Sequence, residues 1–380
     1  MRRATDADRA RLNDTFATLC RIESPSGRER PCADRVTEEL RGLGLAVEED
    51  GAGAAAGSDA GNLLARLSGS RPQSILMCAQ LDTVPPLAPI DPVIVDGGWE
   101  NAGEGILGAD NKAAIAVLIE LARRFAGRGE PPPVGVELLF TVSEENGLRG
   151  AQAFDTSRLS SEFGYVFDHA SPIGGIVVAA PTYDQIVAVF HGRAAHAGIR
   201  PEAGRSAIVA AARAIAAMQL GRLDEHTTAN VGTIAGGTAT NVVPERCRLE
   251  AEVRGLDDAR VAAVVTEMVD HLQDAANDGE CDLDVTVERQ FQGYRSKPNA
   301  PPVLAAMRAL EACGYEPHHL VTGGGSDANA FQSAGLPCAN LADGTERNHE
   351  PGERISTDAL EGMLEVAIAL LDAAAEVMSA

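Results

Sequence analysis

The sequence predicts an α/β protein: a larger, discontinuous α/β/α domain with a mostly parallel sheet, interrupted by a smaller inserted domain of β-α-β-β-α-β order. Three observations predict it. Between residues 6 and 169, strands that are apolar throughout alternate with amphipathic helices, as in a sheet buried on both faces. From Thr182 the strands instead alternate polar and apolar residues, the mark of a sheet with one solvated face. A proline-containing boundary, "YRSKPNAPP" at 294–302, ends that pattern, and helix, loop, apolar strand and a long last helix return. The expected domains are therefore 1–181 with 296–380, and 182–295.

Residues 6–23 and 28–41 carry helical apolar spacing, and Gly42 and Gly44 stop the second helix. "GAGAAAGSDAG" at 51–61 reads as a flexible loop, and "AGNLLARLSG" as a strand with its turn. "SILMCAQLD" is a buried strand that Pro85-Pro86 terminates. "GADNKAAIAVLIELARRFA" opens on a glycine turn and continues as a helix, while "VGVELLFTVSEE" and "FGYVFDHA" are two more buried strands. In the insertion come strand "YDQIVAVFHG", helix "SAIVAAARAIAAMQL", strands "TTANVGTIAGG" and "RCRLEAEVRG", a helix from Asp257, and strand "DLDVTVERQF". "CANLADG" and a long C-terminal helix complete the larger domain.

The chain has 380 residues, 45% hydrophobic and 23% charged, which is ordinary globular composition with room for a sizeable core. A net charge of −23 argues against nucleic acid and anionic membranes as partners, because phosphates are repelled. Seven cysteines without a CxxC pair suggest neither a disulfide framework nor a thiolate metal site. The first sixteen residues, "MRRATDADRARLNDTF", lack the apolar core of a secretory signal, and no run approaches the ~20 apolar residues of a membrane span. The expected compartment is the reducing cytoplasm.

Acidic and histidine residues collect where strands end. Gln80 and Asp82, two apart on an extended chain, leave from one face. Asp110 follows a glycine turn, Glu144-Glu145 follow "ELLFTVS", Asp168-His169 follow "FGYVF", and His349 lies in the loop "GTERNHEPGE". An isolated carboxylate at a strand end is commonplace, and an adjacent glutamate pair by itself reads as a solvated turn. Gathered at the C-terminal edge of one parallel sheet, carboxylates and imidazole suit zinc, manganese or cobalt.

"LDTVPP", "GADNKAAIA", "VSEENGLRGA", "VFDHASPIGG", "GRAAHAGIRPEAGRSAI", "GGGSDAN" and "NHEPGERI" together resemble the peptidase T-like branch of the aminoacylase and glutamate carboxypeptidase superfamily, from about residue 10 to the C-terminus. The resemblance implies a co-catalytic two-metal hydrolase of peptide or acyl-amide bonds. Asp110 would bridge both metals, Glu145 and His349 would complete one site, and Asp168 with position 80 the other. Glu144 would be the general base toward a metal-activated water, Asp82 the hydrogen-bonding partner of position 80, and the Asp110–Asn111 peptide would be cis. The inserted domain would be a lid and a homodimer contact. From it His196 would donate to the substrate carbonyl, while Asn241 and Arg254 would hold the substrate backbone or carboxylate. Gly324, Gly325, Ser326 and Asn329 resemble a substrate-binding turn, although a plain strand-to-helix turn would look much the same. Taken alone, His196 also reads as a turn residue and Arg254 as an exposed strand arginine.

Position 80 departs from the resemblance, since the family has His there and this chain has Gln. Asn111 likewise stands where Asp is frequent, and His169 where a small residue is common. An amide oxygen could face a metal while its NH₂ bonds Asp82, but it is a harder and weaker ligand for zinc than imidazole. Three readings follow: a weakened first site, a single-metal enzyme using Glu145 and His349, or a peptide-binding homologue without catalysis. A pure binder has no chemical need for Glu144. The expectation is a zinc-dependent exopeptidase for di- and tripeptides, with one or two Zn²⁺ per chain and Mn²⁺ or Co²⁺ as alternatives. An N-acyl-amino-acid amidohydrolase is the second expectation.

Overall fold

The computed structural model describes residues 3–126 and 131–379; the outermost residues of the expected larger domain, 1–2 and 380, and residues 127–130 within it, lie outside that description. The chain divides into two compact units: Met1–Ala179 with Arg295–Val321 and Ser326–Ala380, and Ala180–Tyr294 with Thr322–Gly325.

In the larger unit the sheet runs in the order Val47–Glu49, Leu63–Leu67, Gly135–Thr141, Ser74–Gln80, Ser161–His169, Cys338–Ala342 and Gly175–Ala180. The four central strands from Gly135–Thr141 to Cys338–Ala342 are mutually parallel, and the outer neighbours at both sides are antiparallel. Ser74–Gln80 and Gly135–Thr141 are buried along their whole length, which is why both sequences are apolar without alternation. Each fully buried Ile, Leu or Met there contributes about 1.5–3 kcal/mol of hydrophobic free energy. Helices Asp6–Cys20, Arg30–Gly42, Ala109–Ala126, Pro301–Cys313 and Thr357–Val377 supply most of the rest of this core. Thr5 and Asp8 cap the first through reciprocal side-chain to backbone bonds, and Ser356 caps the last by accepting from the Ala359 N–H.

Residues 51–61 are not the flexible loop their composition suggests. They contain a helical turn, Gly53–Ala56, and a Cβ on Gly53 or Gly61 would meet the Ala60 or Asp50 carbonyl oxygen at 2.4 or 2.2 Å. The glycines serve close backbone approach here, not freedom. A small antiparallel sheet that the sequence did not announce joins Thr345–Glu346, Arg354–Ser356, Gly98–Asn101 and Pro92–Val95.

The smaller unit has its own core. Its strands lie in the order Gly221–Arg222, Thr227–Gly236, Arg246–Gly255, Thr182–His191 and Asp282–Phe291, all antiparallel, with helices Ala207–Ala217 and Asp258–Asp278 packed on the sheet. This is the β-α-β-β-α-β arrangement with one short strand added at the edge. Thr322–Gly325 groups with this unit and not with the larger one, because Gly325 lies against the Phe291 ring, where a Cβ would come within 2.3 Å of a ring carbon. Among the described residues no helix is long and apolar enough to cross a membrane.

Candidate active site

The C-terminal ends of the four parallel strands deliver the polar residues of the larger unit. Ser74–Gln80 ends in Gln80 and leads to Asp82, Gly135–Thr141 leads to Glu144 and Glu145, Ser161–His169 carries Asp168, and Cys338–Ala342 leads to Asp343. Asp110 and Asn111 interrupt the start of helix Ala109–Ala126 with non-helical backbone, and the peptide between them is cis.

Asp110, Glu145 and His349 come together with one ligand atom from each lying within 4.8 Å of the others. His349 Nε2 is 3.1 Å from Glu145 Oε1 and 3.2 Å from Asp110 Oδ2. Hydrogen bonds to Asp110 and to Glu145 push the imidazole up to about 10. Burial first, and neighbouring carboxylates second, hold Glu144 and Asp168 well above the usual carboxylate range. Burial likewise raises Glu145, with Asp110 adding to it and the His349 hydrogen bond opposing, and pushes Asp82 up to about 8 and Asp343 up to about 7. So many carboxylates in a dry site repel one another unless protons or a cation intervene.

The donor set fits a divalent cation. Asp110 Oδ1 is buried with no hydrogen-bond partner, and so are Asn111 Oδ1, Asp343 Oδ2 and Asn348 Oδ1. All four are acceptor oxygens, and a cation satisfies what no N–H reaches. Two carboxylates and an imidazole are a donor set suited to zinc.

Gln80 and Asp82 are arranged differently from the expectation. Gln80 Nε2 donates to Glu144 Oε2 at 3.3 Å, and its side chain also hydrogen-bonds Glu145. Asp82 accepts from the Glu144 N–H at 3.0 Å, the Glu145 N–H at 3.2 Å and the Ser26 hydroxyl at 2.6 Å. The expected bond from Gln80 to Asp82 is therefore replaced. The turn at 143–145 leaves backbone N–H groups without ladder partners, and Asp82 takes two of them. Asp168 Oδ1 accepts from Asn111 Nδ2 at 3.4 Å, and its backbone exchanges two bonds with the Asn340 side chain. His169 turns its Nδ1 to the Ser171 hydroxyl at 3.0 Å.

Within the smaller unit, His196 and Asn241 are neighbours: Ala197 N–H donates to the Asn241 carbonyl at 2.9 Å. Gly198 N–H donates to His196 Nδ1 at 3.2 Å, so the neutral ring carries its proton on the exposed Nε2. Arg254 stacks its guanidinium 4.3 Å from the Tyr183 ring centroid and pairs with Glu252 at 3.2 Å, as a strand arginine would. Gly324 N–H donates to Thr322 Oγ1. In the larger unit Ser326 and Asn329 are both buried and cap the helix Asp327–Ser333 through one another, so their polar groups serve the turn.

Several buried carboxylates are not among the residues the sequence singles out, Asp343, Glu29, Asp327 and Glu353 among them. Glu29 accepts from the Ser143 N–H and hydroxyl and from the Ser58 hydroxyl. Asp327 accepts from Thr141 and Cys78, and Glu353 accepts from three backbone N–H groups at residues 107–110. Glu29 falls in the helix expected at 28–41, and Asp327 and Glu353 fall inside the motifs "GGGSDAN" and "NHEPGERI", but nothing in those stretches says which N–H and O–H groups they accept from.

The chain is 35% identical to the uncharacterized protein YqjE of Bacillus subtilis over 96% of its own length and 99% of that protein's. It is 37% identical to the crystal structure of aminopeptidase PepT from Bacillus cereus, with a TM-score of 0.84 and coverage of 97% and 99% of the two chains. The chain belongs to the peptidase T-like branch of the aminoacylase and glutamate carboxypeptidase superfamily. A tripeptidase structure from Staphylococcus aureus, 33% identical with a TM-score of 0.89, covers 97% of this chain and 99% of its own. Residues 184–280 match the peptidase dimerisation domain family and residues 62–171 match peptidase family M28, the latter spanning Gln80, Asp82, Asp110, Glu144, Glu145 and Asp168. As a member of this metallopeptidase branch the chain is a metal-dependent hydrolase of the peptidase class.

Proposed function

We propose that the chain is an exopeptidase for di- and tripeptides that uses Glu144 as general base beside a zinc site formed by Asp110, Glu145 and His349. One observation carries the reading: the three ligand atoms converge while Glu144, adjacent in sequence to Glu145, stays outside that set, buried and hydrogen-bonded by Gln80. A zinc ion held there supplies a Lewis acid that polarises the scissile carbonyl and makes water nucleophilic at neutral pH; manganese or cobalt suits the same donors. Glu144 takes the proton from the attacking water and returns it to the leaving amine, a task for which its raised proton affinity is suited. His196 Nε2–H is the proposed donor to the carbonyl oxygen as negative charge develops, in its own chain or in a partner's, with Asn241 beside it. Recognition of a free amino terminus is favoured by the likeness to an aminopeptidase.

A homodimer through the smaller unit is part of the proposal. Helix Ala207–Ala217 leaves Ile208 and Val209 exposed, and strand Thr227–Gly236 is paired on one side only beyond Ala229, with Ile234 exposed. The seven cysteines are free thiols, as suits a reducing cytoplasm. Dipeptides, tripeptides and N-acyl amino acids, offered to the chelated protein with zinc, manganese or cobalt added back separately, test the reading. Metal-dependent release of amino acids from peptides supports it, and turnover confined to N-acyl substrates overturns it.

A further inference from the structure

We infer that Glu353, assisted by Asn348, is a positioning residue that holds Asp110 in place for the metal, acting through the backbone and not as a ligand; the inference rests on the metal reading above. Glu353 is 1% exposed, and both of its oxygens are committed to N–H groups. Oε2 accepts from Leu107 and Gly108 at 2.9 and 2.8 Å, and Oε1 accepts from Asp110 at 2.9 Å. Residues 107–110 cannot satisfy these donors themselves. Gly108 has φ +76°, and Asp110 has φ −80° with ψ 102°, so no helical or strand ladder passes through the segment. A single side chain whose two oxygens accept three N–H groups fixes all three of those residues at once.

The same short loop reaches the other end of the residue. Asn348 Nδ2 donates to Asp110 Oδ2 at 2.9 Å, and His349 Nε2 lies 3.2 Å from that oxygen. Asp110 is thus gripped at its amide by Glu353 and at its carboxylate by Asn348, while the residue between them, His349, is itself a proposed ligand. Immediately after Glu353 the chain enters strand Arg354–Ser356, whose pairing with Gly98–Asn101 puts Arg354 opposite Glu100 and Ile355 opposite Trp99. The clamp is therefore anchored to a sheet. Two ligands distant in sequence are fixed in mutual register by one loop, and the register is what metal affinity depends on.

Glu137 provides a control, a buried carboxylate that also accepts backbone N–H groups but lies away from the proposed ligands. It is 2% exposed and accepts from the Ser160 N–H, the Ser161 N–H and the Ser161 hydroxyl at 2.6 to 2.9 Å and from Arg66 Nε at 3.1 Å, but it sits near the start of strand Ser161–His169, at the opposite end from Asp168. The full chain, Glu353→Gln, Asn348→Ala and Glu137→Gln are compared for zinc affinity by chelator competition and for the visible spectrum of bound cobalt(II). Glu353→Gln is expected to lose roughly 10–100-fold in zinc affinity and to alter the cobalt spectrum. Asn348→Ala is expected to lose affinity in the same direction, and Glu137→Gln to retain it while losing stability. Wild-type affinity in Glu353→Gln, or an equal loss in Glu137→Gln, would overturn the inference. Should Glu353→Gln fail to fold, unchanged affinity in Asn348→Ala overturns it. A wild-type chain that binds neither zinc nor cobalt instead overturns the metal reading on which the inference stands.

Discussion

Gln80 Nε2 donates to Glu144 Oε2 across 3.3 Å, so the side chain that replaces an expected metal ligand is in contact with the proposed base. Replacing Glu144 with Gln keeps the shape but removes the proton acceptor. Turnover is expected to fall by roughly 10²–10⁴-fold with zinc content per chain unchanged, measured by peptide hydrolysis and elemental analysis. Near-wild-type turnover would show that another group takes the proton.

The number of metals follows from the same contact. Without an imidazole at position 80, a second site at Asp110 and Asp168 is left with oxygen donors alone, and Asp168 Oδ1 already accepts from Asn111. Dialysed protein should hold close to one zinc per chain and Gln80→His close to two. Chelation should lower thermal stability, and zinc at a hundred times its dissociation constant should restore about 2.7 kcal/mol. Two tightly held zinc ions in the unmodified chain would sink this prediction.

Asp327 gives a pH dependence away from the ligands. Burial raises its carboxyl from 3.8 to about 6, opposed by the hydrogen bonds from Thr141 and Cys78. The fold therefore binds this proton more tightly than the unfolded chain does. The resulting stability is complete below pH 3.8 and is lost as pH rises through 6. Asp327→Asn, which cannot ionise, should gain on wild type as pH rises from 3.8 to about 6, by on the order of 1–3 kcal/mol, read as a gap between the two melting curves that widens over that interval and then stays level. A gap that stays constant with pH would show that Asp327 ionises in the fold at no penalty.

Dimerisation is tested at the exposed apolar face of the smaller unit. Val209→Lys with Ile234→Lys should shift the chain to monomer in sedimentation velocity while leaving its zinc content intact. A wild-type chain that sediments as a monomer at every concentration would remove the dimer from the proposal.

Much of the architecture was legible because burial on both faces and on one face leave different sequence periods. "SILMCAQ" and "GVELLFT" announce central parallel strands, whereas "YDQIVAVFH" announces a half-solvated one, and the structure places them so. Asp110, Glu145 and His349 could be named from motif order, and the fold brings these three together. What stayed hidden depends on which hydrogen-bond partner happens to be nearest. Nothing in "QLD" says that Asp82 will turn to the backbone at 144 and 145 instead of to Gln80. Nothing in "SDAN" says that Ser326 and Asn329 will satisfy each other. Nothing in "NHEPGERI" says that Glu353 will take the N–H groups of the irregular backbone at 107–110.

The ligands also differ in when they become available. Asp110 and Glu145 are made before the smaller unit, whereas His349, Asn348 and Glu353 come after it. A nascent chain that has already emerged past the insertion still lacks the imidazole of the proposed metal site and the proposed clamp on Asp110. The proposed metal site is thereby completed only after the smaller unit has been made, and a chain truncated before residue 348 lacks the imidazole it would need.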